Sequence, residues 1–235
     1  MKKIIIVSGR PGTGKTYVAK KIVEYFKNIE LISYDDLKEK NYDELGFENI
    51  EEKNIIDLIS LKEFLFNVEK LMILSKNIIV EYPFSYKQKE ILEKISNQYN
   101  YKTYTVRLIA DSNILINRIK NRDIDEKRHL GHIVSKYKKG MVLKDKSKAD
   151  RLFNKESFEK ICADRDYDNF CIGKLLEIDT TNIAKLDLEQ IYTFLKNCWK
   201  VEKKKSILVS KKKLLFFLLY KQKIFDPLLF ILHFG

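Results

Sequence analysis

The chain carries one stretch whose residue types and spacing point directly to phosphate chemistry. Residues 9–16 read GRPGTGKT and fill every position of the pattern G-x-x-x-x-G-K-[ST]. An apolar run at residues 4–7 precedes this stretch and a helical pattern begins at Tyr17, which is the strand–turn–helix context of a phosphate-binding loop. Glycines let successive backbone N–H groups surround a polyphosphate, and the helix N-terminus adds the positive end of its dipole. The motif predicts a nucleoside triphosphate site.

Every residue of the loop is a candidate nucleotide ligand. The set is Gly9, Arg10, Pro11, Gly12, Thr13, Gly14, Lys15 and Thr16. Lys15 is expected to reach the β- and γ-phosphates, and the Thr16 hydroxyl to bind Mg²⁺. The alternative is a glycine-rich turn with a chance lysine, and the flanking strand and helix argue against it.

The hydrophobic pattern alternates between strands and helices. Strands are expected at about residues 3–8, 30–33, 77–82, 101–108 and 174–179, and helices after the loop and at about 57–76, 86–98, from 111 or 112, and 187–199. This alternation predicts a parallel sheet covered by helices on both faces. Ligands of such sheets bind at the carboxyl ends of the strands. Four acids lie there: Asp35, Glu81, Asp111 and Asp179.

Four segments together resemble the small P-loop kinases sometimes called AAA-like kinases, among them polynucleotide 5′-hydroxyl kinases, zeta-type toxins and chloramphenicol phosphotransferases. The segments are residues 9–16, the Asp35-Asp36 pair, the Val80-Glu81 pair, and the region with Arg118, Arg122 and Arg128-His129. The likeness covers about residues 1–200. It implies a three-layer α/β P-loop NTPase fold with a five-stranded parallel sheet and a helical lid at about residues 118–140. It also implies transfer of the γ-phosphoryl group of ATP, with Mg²⁺, to a hydroxyl or phosphate of a small molecule, nucleotide or nucleic-acid end.

The two acidic positions receive roles from this resemblance. Asp35 matches the acid that takes the proton of the acceptor, whereas its alternative is to cap a helix starting near Leu37, which Asp36 could equally do. Glu81 lies where an acid would face the magnesium ion. A glutamate that ends a buried strand needs a partner, since an unpaired buried charge is costly. Metal binding and acceptor binding both remain open for Glu81.

Three arginines are candidates for stabilising charge on the transferred group. Arg118 and Arg122 are four residues apart and share a helix face, and Arg128 belongs to a segment that resembles a kinase lid. The alternative for each is a solvated helix cation balanced by a nearby acid such as Asp123. His129 and His132 raise the further idea of a metal site, which their loose spacing argues against.

Composition restricts the classes of partner and the cellular compartment that we expect for this protein. The net charge is +12, but residues 200–235 hold nine lysines and two acids, so the body is only mildly basic and a nucleic-acid partner is permitted without being required. Three cysteines without a C-x-x-C pair fit a reducing compartment, and we expect a cytoplasmic protein.

We divide the chain into a kinase domain at 1–200 and a basic, apolar tail at 201–235. The tail has no run of about 20 apolar residues that could span a membrane. A disordered or weakly associating extension is favoured for it over a membrane-surface segment or a docking tail.

Other nucleotide-binding classes lack their signatures here. There is no N-K-x-D guanine reader and no Ser-Gly-Gly transporter signature, and the chain is short for a hexameric motor. The alternative that remains is a non-catalytic ATP-binding regulator or switch. Asp35 discriminates between the two, because a kinase needs an acid that activates the acceptor and a switch does not.

Overall fold

A parallel sheet of five strands forms the centre of the molecule in the computed structural model, which describes residues 2–200. The strands are β1 (Lys3–Gly9), β2 (Glu30–Ser33), β3 (Ile78–Glu81), β4 (Lys102–Ile109) and β5 (Lys174–Asp179). Their order in the sheet is β2-β3-β1-β4-β5, with every neighbouring pair parallel. The predicted α/β class and the five strands are confirmed. The tail predicted at 201–235 lies outside the described residues.

Seven α-helices accompany the strands within the described residues. They are α1 (Lys15–Tyr25), α2 (Tyr34–Leu45), α3 (Ile50–Ile73), α4 (Tyr86–Gln98), α5 (Ser112–Ile124), α6 (Lys155–Arg165) and α7 (Leu188–Lys200). Over residues 2–200, none of the helices is both long enough and apolar enough to cross a lipid bilayer.

The side chains of β1 show why the fold has three layers. Successive strand residues point to opposite faces of a sheet. Ile4 and Ile6 belong to a buried cluster with residues of α3 and α4, whereas Ile5 and Val7 belong to a second buried cluster with residues of α1 and α7. All four side chains are fully buried. The continuous apolar run of β1 therefore serves two cores, one on each side of the sheet.

Two helix boundaries differ from the sequence expectation. Helix α2 begins at Tyr34, because the side chain of Ser33 caps it by accepting a hydrogen bond from the Asp36 backbone N–H at 3.3 Å. The alternative role considered for Asp35 and Asp36, as the cap of a helix starting near Leu37, is wrong. Helix α3 begins at Ile50, seven residues before the expected start, with Asn49 as its cap. Helix α6 was not expected at all, since its sequence is mostly charged.

The segment that follows α5 packs against α2 and α3. Backbone hydrogen bonds of 2.8 and 2.7 Å join Phe47 to Tyr137 in an isolated antiparallel bridge. Around this bridge lies a buried cluster, which comprises Tyr42, Phe47, Ile56, Leu130, Ile133, Val134 and Tyr137. The cluster holds residues 130–137 beside the first turns of α3, at the same end of the sheet as the carboxyl ends of β2 and β3.

Candidate active site

The glycine-rich loop leaves β1 in a backbone conformation that only glycine adopts easily. Gly9 has φ 134°, and a Cβ atom there would lie 2.2 Å from the backbone oxygen of Leu108 in β4. Gly14 has φ 88° and directly precedes α1, and its Cβ would lie 2.9 Å from Ile183 Cδ1. The loop therefore lies tightly between β4 and the turn after β5, with the N-terminus of α1 at its end.

Lys15 is a buried cation at the start of α1. Its ammonium group donates a hydrogen bond to the backbone oxygen of Arg10 at 2.9 Å, so the side chain folds back over the loop. Burial lowers the pKa of Lys15 to about 8, and the negative charges of Glu81 and Asp35 oppose this shift. The lysine is thus held beside two carboxylates and is charged at neutral pH.

Glu81 connects the loop to the neighbouring strands. Its Oε1 atom accepts hydrogen bonds from Thr16 Oγ1 at 3.2 Å and from Ser33 Oγ at 2.8 Å. Sheet register explains the arrangement, because Glu81 of β3 pairs with Val7 of β1 on one side and with Ser33 of β2 on the other. Burial raises the pKa of Glu81, Asp35 raises it further, and Lys15 together with the two hydroxyl donors lowers it. The sequence pattern does not indicate this role of Ser33.

Asp35 lies in the first turn of α2 and lines the cleft beside the loop. Ser33 caps this helix, so the carboxylate of Asp35 is not used as a cap. Within residues 2–200 it makes no hydrogen bond or ion pair. Its negative charge nevertheless acts on Lys15, Glu81 and Arg128. Asp35 is therefore a central, unpaired carboxylate of the cleft.

The three candidate arginines all line the cleft, but they differ in their partners. Arg118 Nη2 donates to the backbone oxygens of Thr180 and Thr181 at 2.8 and 3.0 Å, which ties it to the turn after β5. Its Nη1 is buried and has no hydrogen-bond partner among the described residues.

Arg122 and Arg128 share one carboxylate. Arg122 donates to Asp123 Oδ1 at 2.9 and 2.7 Å, and Arg128 Nε lies 3.5 Å from the same oxygen. Arg128 is largely buried, and burial and the charge of Arg122 lower its pKa. One buried carboxylate thus faces two guanidinium groups, and Asp35 and Glu39 add negative charge that acts on Arg128.

These side chains converge on a cleft of about 480 Å³. Ten of the thirteen candidate site residues line it: Pro11, Gly12, Gly14, Lys15, Thr16, Asp35, Glu81, Arg118, Arg122 and Arg128. Gly9, Arg10 and Thr13 do not. Gly9 ends β1, Thr13 donates to the Arg10 backbone oxygen at 2.9 Å, and Arg10 pairs with Asp168 while donating to Ser112 Oγ at 3.0 Å. These three residues shape the loop from outside the cleft.

The cleft also contains polar residues that the sequence analysis missed. They are Ser85, Gln88, Lys38, Lys53, Asn54, Asp57, Arg151 and Arg165. Most come from α2, α3 and the segments after α5. One local signal was present, since Lys53 and Asp57 stand at i and i+4 and therefore on one face of α3. Helical spacing alone did not indicate that this polar face turns toward the loop.

The two histidines serve the packing of the segment after α5. His129 Nε2 lies 3.2 Å from Asp43 Oδ1, and His132 Nε2 lies 2.8 Å from Glu39 Oε1, both carboxylates belonging to α2. Burial lowers the pKa of His132 to about 3, so its imidazole is neutral. Over the described part of the chain, no group of three or more His, Cys, Asp or Glu side chains is arranged to hold a metal ion.

The fold and the loop define a class of protein, the P-loop NTPases with a three-layer α/β architecture. Comparison with known proteins adds the family. The sequence model of a family described as an AAA domain matches residues 5–139, more than half of the chain, and the chain belongs to this family. The predicted resemblance to P-loop kinase-like proteins is confirmed at the level of family and fold. No curated protein matches the sequence significantly.

Two solved structures align with most of the chain. A proposed kinase from Chloroflexus aurantiacus shares 19% sequence identity, with 85% of this chain and 96% of that chain aligned and a TM-score of 0.62. A gluconokinase from Sinorhizobium meliloti aligns at 12% identity over 84% of this chain and 95% of that one, with a TM-score of 0.49. The first of these likenesses shows a common fold that extends over most of the described residues.

Proposed function

We propose that this protein is a kinase that uses ATP and Mg²⁺ to phosphorylate a small acceptor bound in the cleft. The observation that carries the proposal is the position of Asp35. Its carboxylate lines the cleft next to the phosphate-binding loop, has no partner among the described residues, and acts electrostatically on Lys15. A protein that only binds ATP has no need of an unpaired carboxylate at this place.

The residues around the loop suit a triphosphate and its metal ion. Magnesium prefers oxygen ligands, and the Thr16 hydroxyl supplies one. Because this hydroxyl donates its hydrogen to Glu81 at 3.2 Å, its lone pairs remain available to a cation. When bound, Mg²⁺ neutralises negative charge on the phosphate oxygens. Glu81 fits the role of a carboxylate that orients Thr16, and a direct role toward the acceptor is the alternative for it.

The reaction follows from these placements. Asp35 accepts the proton of the acceptor group, whose oxygen forms a bond to the γ-phosphorus as the bond from that phosphorus to the ADP oxygen breaks. Lys15 holds the β- and γ-phosphates, and Arg122 and Arg128 offset charge on the transferred group. Arg118 suits a role in positioning the nucleotide, because its guanidinium group is held by hydrogen bonds to the turn after β5.

The proposal is tested by transfer of labelled γ-phosphate from ATP to a panel of acceptors, with Lys15→Ala as the control. The panel contains nucleosides, nucleotides, 5′-hydroxyl oligonucleotides, aminosugars and sugar alcohols. We expect a labelled product that Lys15→Ala does not form. Tight ATP binding with no labelled product and no effect of Asp35→Asn on ATP hydrolysis would instead favour the ATP-binding regulator.

A further inference from the structure

Outside the phosphate-binding loop, one group of residues that line the cleft has more cations than carboxylates. We define the acceptor wall as Lys38 of α2, Lys53 and Asp57 of α3, and Arg151, all of which line the cleft. Within this set three cations accompany one carboxylate, a net charge of +2, and Asp35 of the same cleft adds a negative charge that acts on Lys38. None of these residues belongs to the loop or to α1, the elements that bind the triphosphate.

The two lysines of the acceptor wall lie against one aromatic ring. The ammonium groups of Lys38 and Lys53 lie 5.7 and 5.8 Å from the ring centroid of Tyr42. Lys38 pairs with Asp57 Oδ2 at 3.0 Å, and Asp57 also accepts a hydrogen bond from the Tyr42 hydroxyl. The single carboxylate of the wall is therefore already occupied by Lys38 and Tyr42.

Lys53 has no acidic partner of its own. Its ammonium group donates only to backbone oxygens, those of His132 at 3.3 Å and Val134 at 3.2 Å. Burial and the positive charges of Lys38 and Arg151 lower its pKa to about 8, and the negative charges of Asp57 and Asp150 only partly oppose this shift. A half-buried ammonium group with like charges beside it is costly, and an anion in the cleft would remove that cost.

Arg151 completes the wall from another direction. Its backbone N–H donates to the Ile133 oxygen at 3.0 Å, which fixes the start of the side chain beside the segment after α5. The guanidinium group is exposed to the cleft and makes no hydrogen bond or ion pair within residues 2–200. Its planar fork of donors matches a phosphate group.

From this arrangement we infer that the acceptor already carries an anionic group, a phosphate monoester, which Lys53, Arg151 and Lys38 bind. The inference rests on the proposed kinase function and narrows its substrate class. A net charge of +2 matches a dianion better than a carboxylate. Lys38 stands three residues after Asp35 on the same helix face, so an anion at this wall places the rest of the acceptor beside the proposed base.

The test measures anion binding separately from phosphoryl transfer. Protein saturated with Mg²⁺ and the non-hydrolysable analogue AMP-PNP is titrated calorimetrically with ribose 5-phosphate, with ribose, and with ribonate as the carboxylate probe. We expect ribose 5-phosphate to bind at least about tenfold more tightly than either other probe. Arg151→Gln and Lys53→Gln should each weaken it by about tenfold and leave AMP-PNP affinity unchanged.

Matched controls separate the outcomes. Lys70→Gln removes an exposed lysine from the far end of α3 and should change nothing. Arg151→Gln removes an exposed guanidinium group that makes no hydrogen bond or ion pair within residues 2–200, so this variant should fold. It therefore still tests the inference if Lys53→Gln does not fold. Equal binding of ribose and ribose 5-phosphate, or no effect of either variant, would overturn the inference. Tighter binding of ribonate would overturn the choice of a phosphate.

A further variant separates the anion site from the kinase proposal. Lys15→Ala should abolish AMP-PNP binding. Ribose 5-phosphate should still bind to this variant, and adding Arg151→Gln should still weaken that binding. Anion binding without any γ-phosphoryl transfer would contradict the kinase function and retain the anion site.

Discussion

The hydroxyl of Thr16 and the carboxylate of Glu81 are joined by a hydrogen bond of 3.2 Å, although 65 residues separate them in the chain. Thr16 is the second residue of α1, and Glu81 ends β3. Ser33 adds a second hydrogen bond to the same oxygen at 2.8 Å. The phosphate-binding loop and the ends of β2 and β3 are therefore joined through one carboxylate oxygen, and the proposed Mg²⁺ site depends on this contact.

Thr16→Val should impair Mg²⁺ use while preserving the fold, because valine keeps the shape of threonine and lacks the hydroxyl. We expect apparent Mg²⁺ affinity in the transfer reaction to fall about 10- to 100-fold. Thr16→Ser, which keeps the hydroxyl, should stay close to the original protein. Equal Mg²⁺ dependence of the valine and serine variants would contradict a role of the hydroxyl in metal binding.

Asp35→Asn should separate binding from chemistry. The amide has nearly the same shape as the carboxylate but cannot take the proton of the acceptor, so kcat should fall about 10²- to 10⁴-fold with ATP affinity nearly unchanged. Asp36→Asn is the matched control, since Asp36 is the exposed neighbour in the same helical turn and does not line the cleft. If both variants retain full turnover, Asp35 is not the base.

Nucleotide affinity should depend on pH through Lys15. Burial lowers the pKa of Lys15 to about 8, so the ammonium form dominates below pH 8 and is lost as the pH rises through that value. We expect ATP affinity to fall by up to about tenfold per pH unit above pH 8, with uptake of a proton on binding. Calorimetry in buffers of different ionisation enthalpy measures this uptake.

Two variants test that assignment. Lys15→Arg keeps its charge throughout this range and should show weaker but pH-independent binding. Lys53 also has a pKa lowered to about 8, so Lys53→Gln must retain the pH dependence if Lys15 is its source. Loss of the pH dependence in Lys53→Gln would assign it to the acceptor wall instead.

Stability should decrease in mild acid because of His132. Its pKa is lowered to about 3 by burial, against an ordinary value of 6.5, so below pH 6.5 the unfolded chain binds a proton that the folded protein rejects. The free energy of unfolding should therefore fall by up to about 1.4 kcal/mol per pH unit as the pH drops from 6.5 toward 4. Urea unfolding at several pH values measures this slope. His132→Gln should reduce it, and an unchanged slope would show that other groups cause the acid sensitivity.

The strands and the phosphate-binding loop were predictable because their signals are local. Short apolar and β-branched runs identify the strands, and the predicted bounds of β2 and β5 are those of the structure. The motif at residues 9–16 has a fixed spacing that serves phosphate binding by itself. The expectation that Asp35 and Glu81 meet at one edge of the sheet followed from the rule that parallel strands end together.

What only the tertiary structure decided is the character of the acceptor side of the cleft. Lys38, Lys53 and Arg151 come from three segments that share no motif, and each alone reads as a solvated surface cation. Lys38 and Lys53 lie against Tyr42, and residues 130–137, packed on α2 and α3, bind both Lys53 and the backbone of Arg151 at the same cleft. Ser33 both caps α2 and donates a hydrogen bond to Glu81. The second contact depends on the register of β2 and β3, which the sequence does not show. The sequence alone determined the strand pattern and the phosphate-binding motif, because both depend on residues that are neighbours in the chain. The packing of distant segments determined which charged side chains share the cleft.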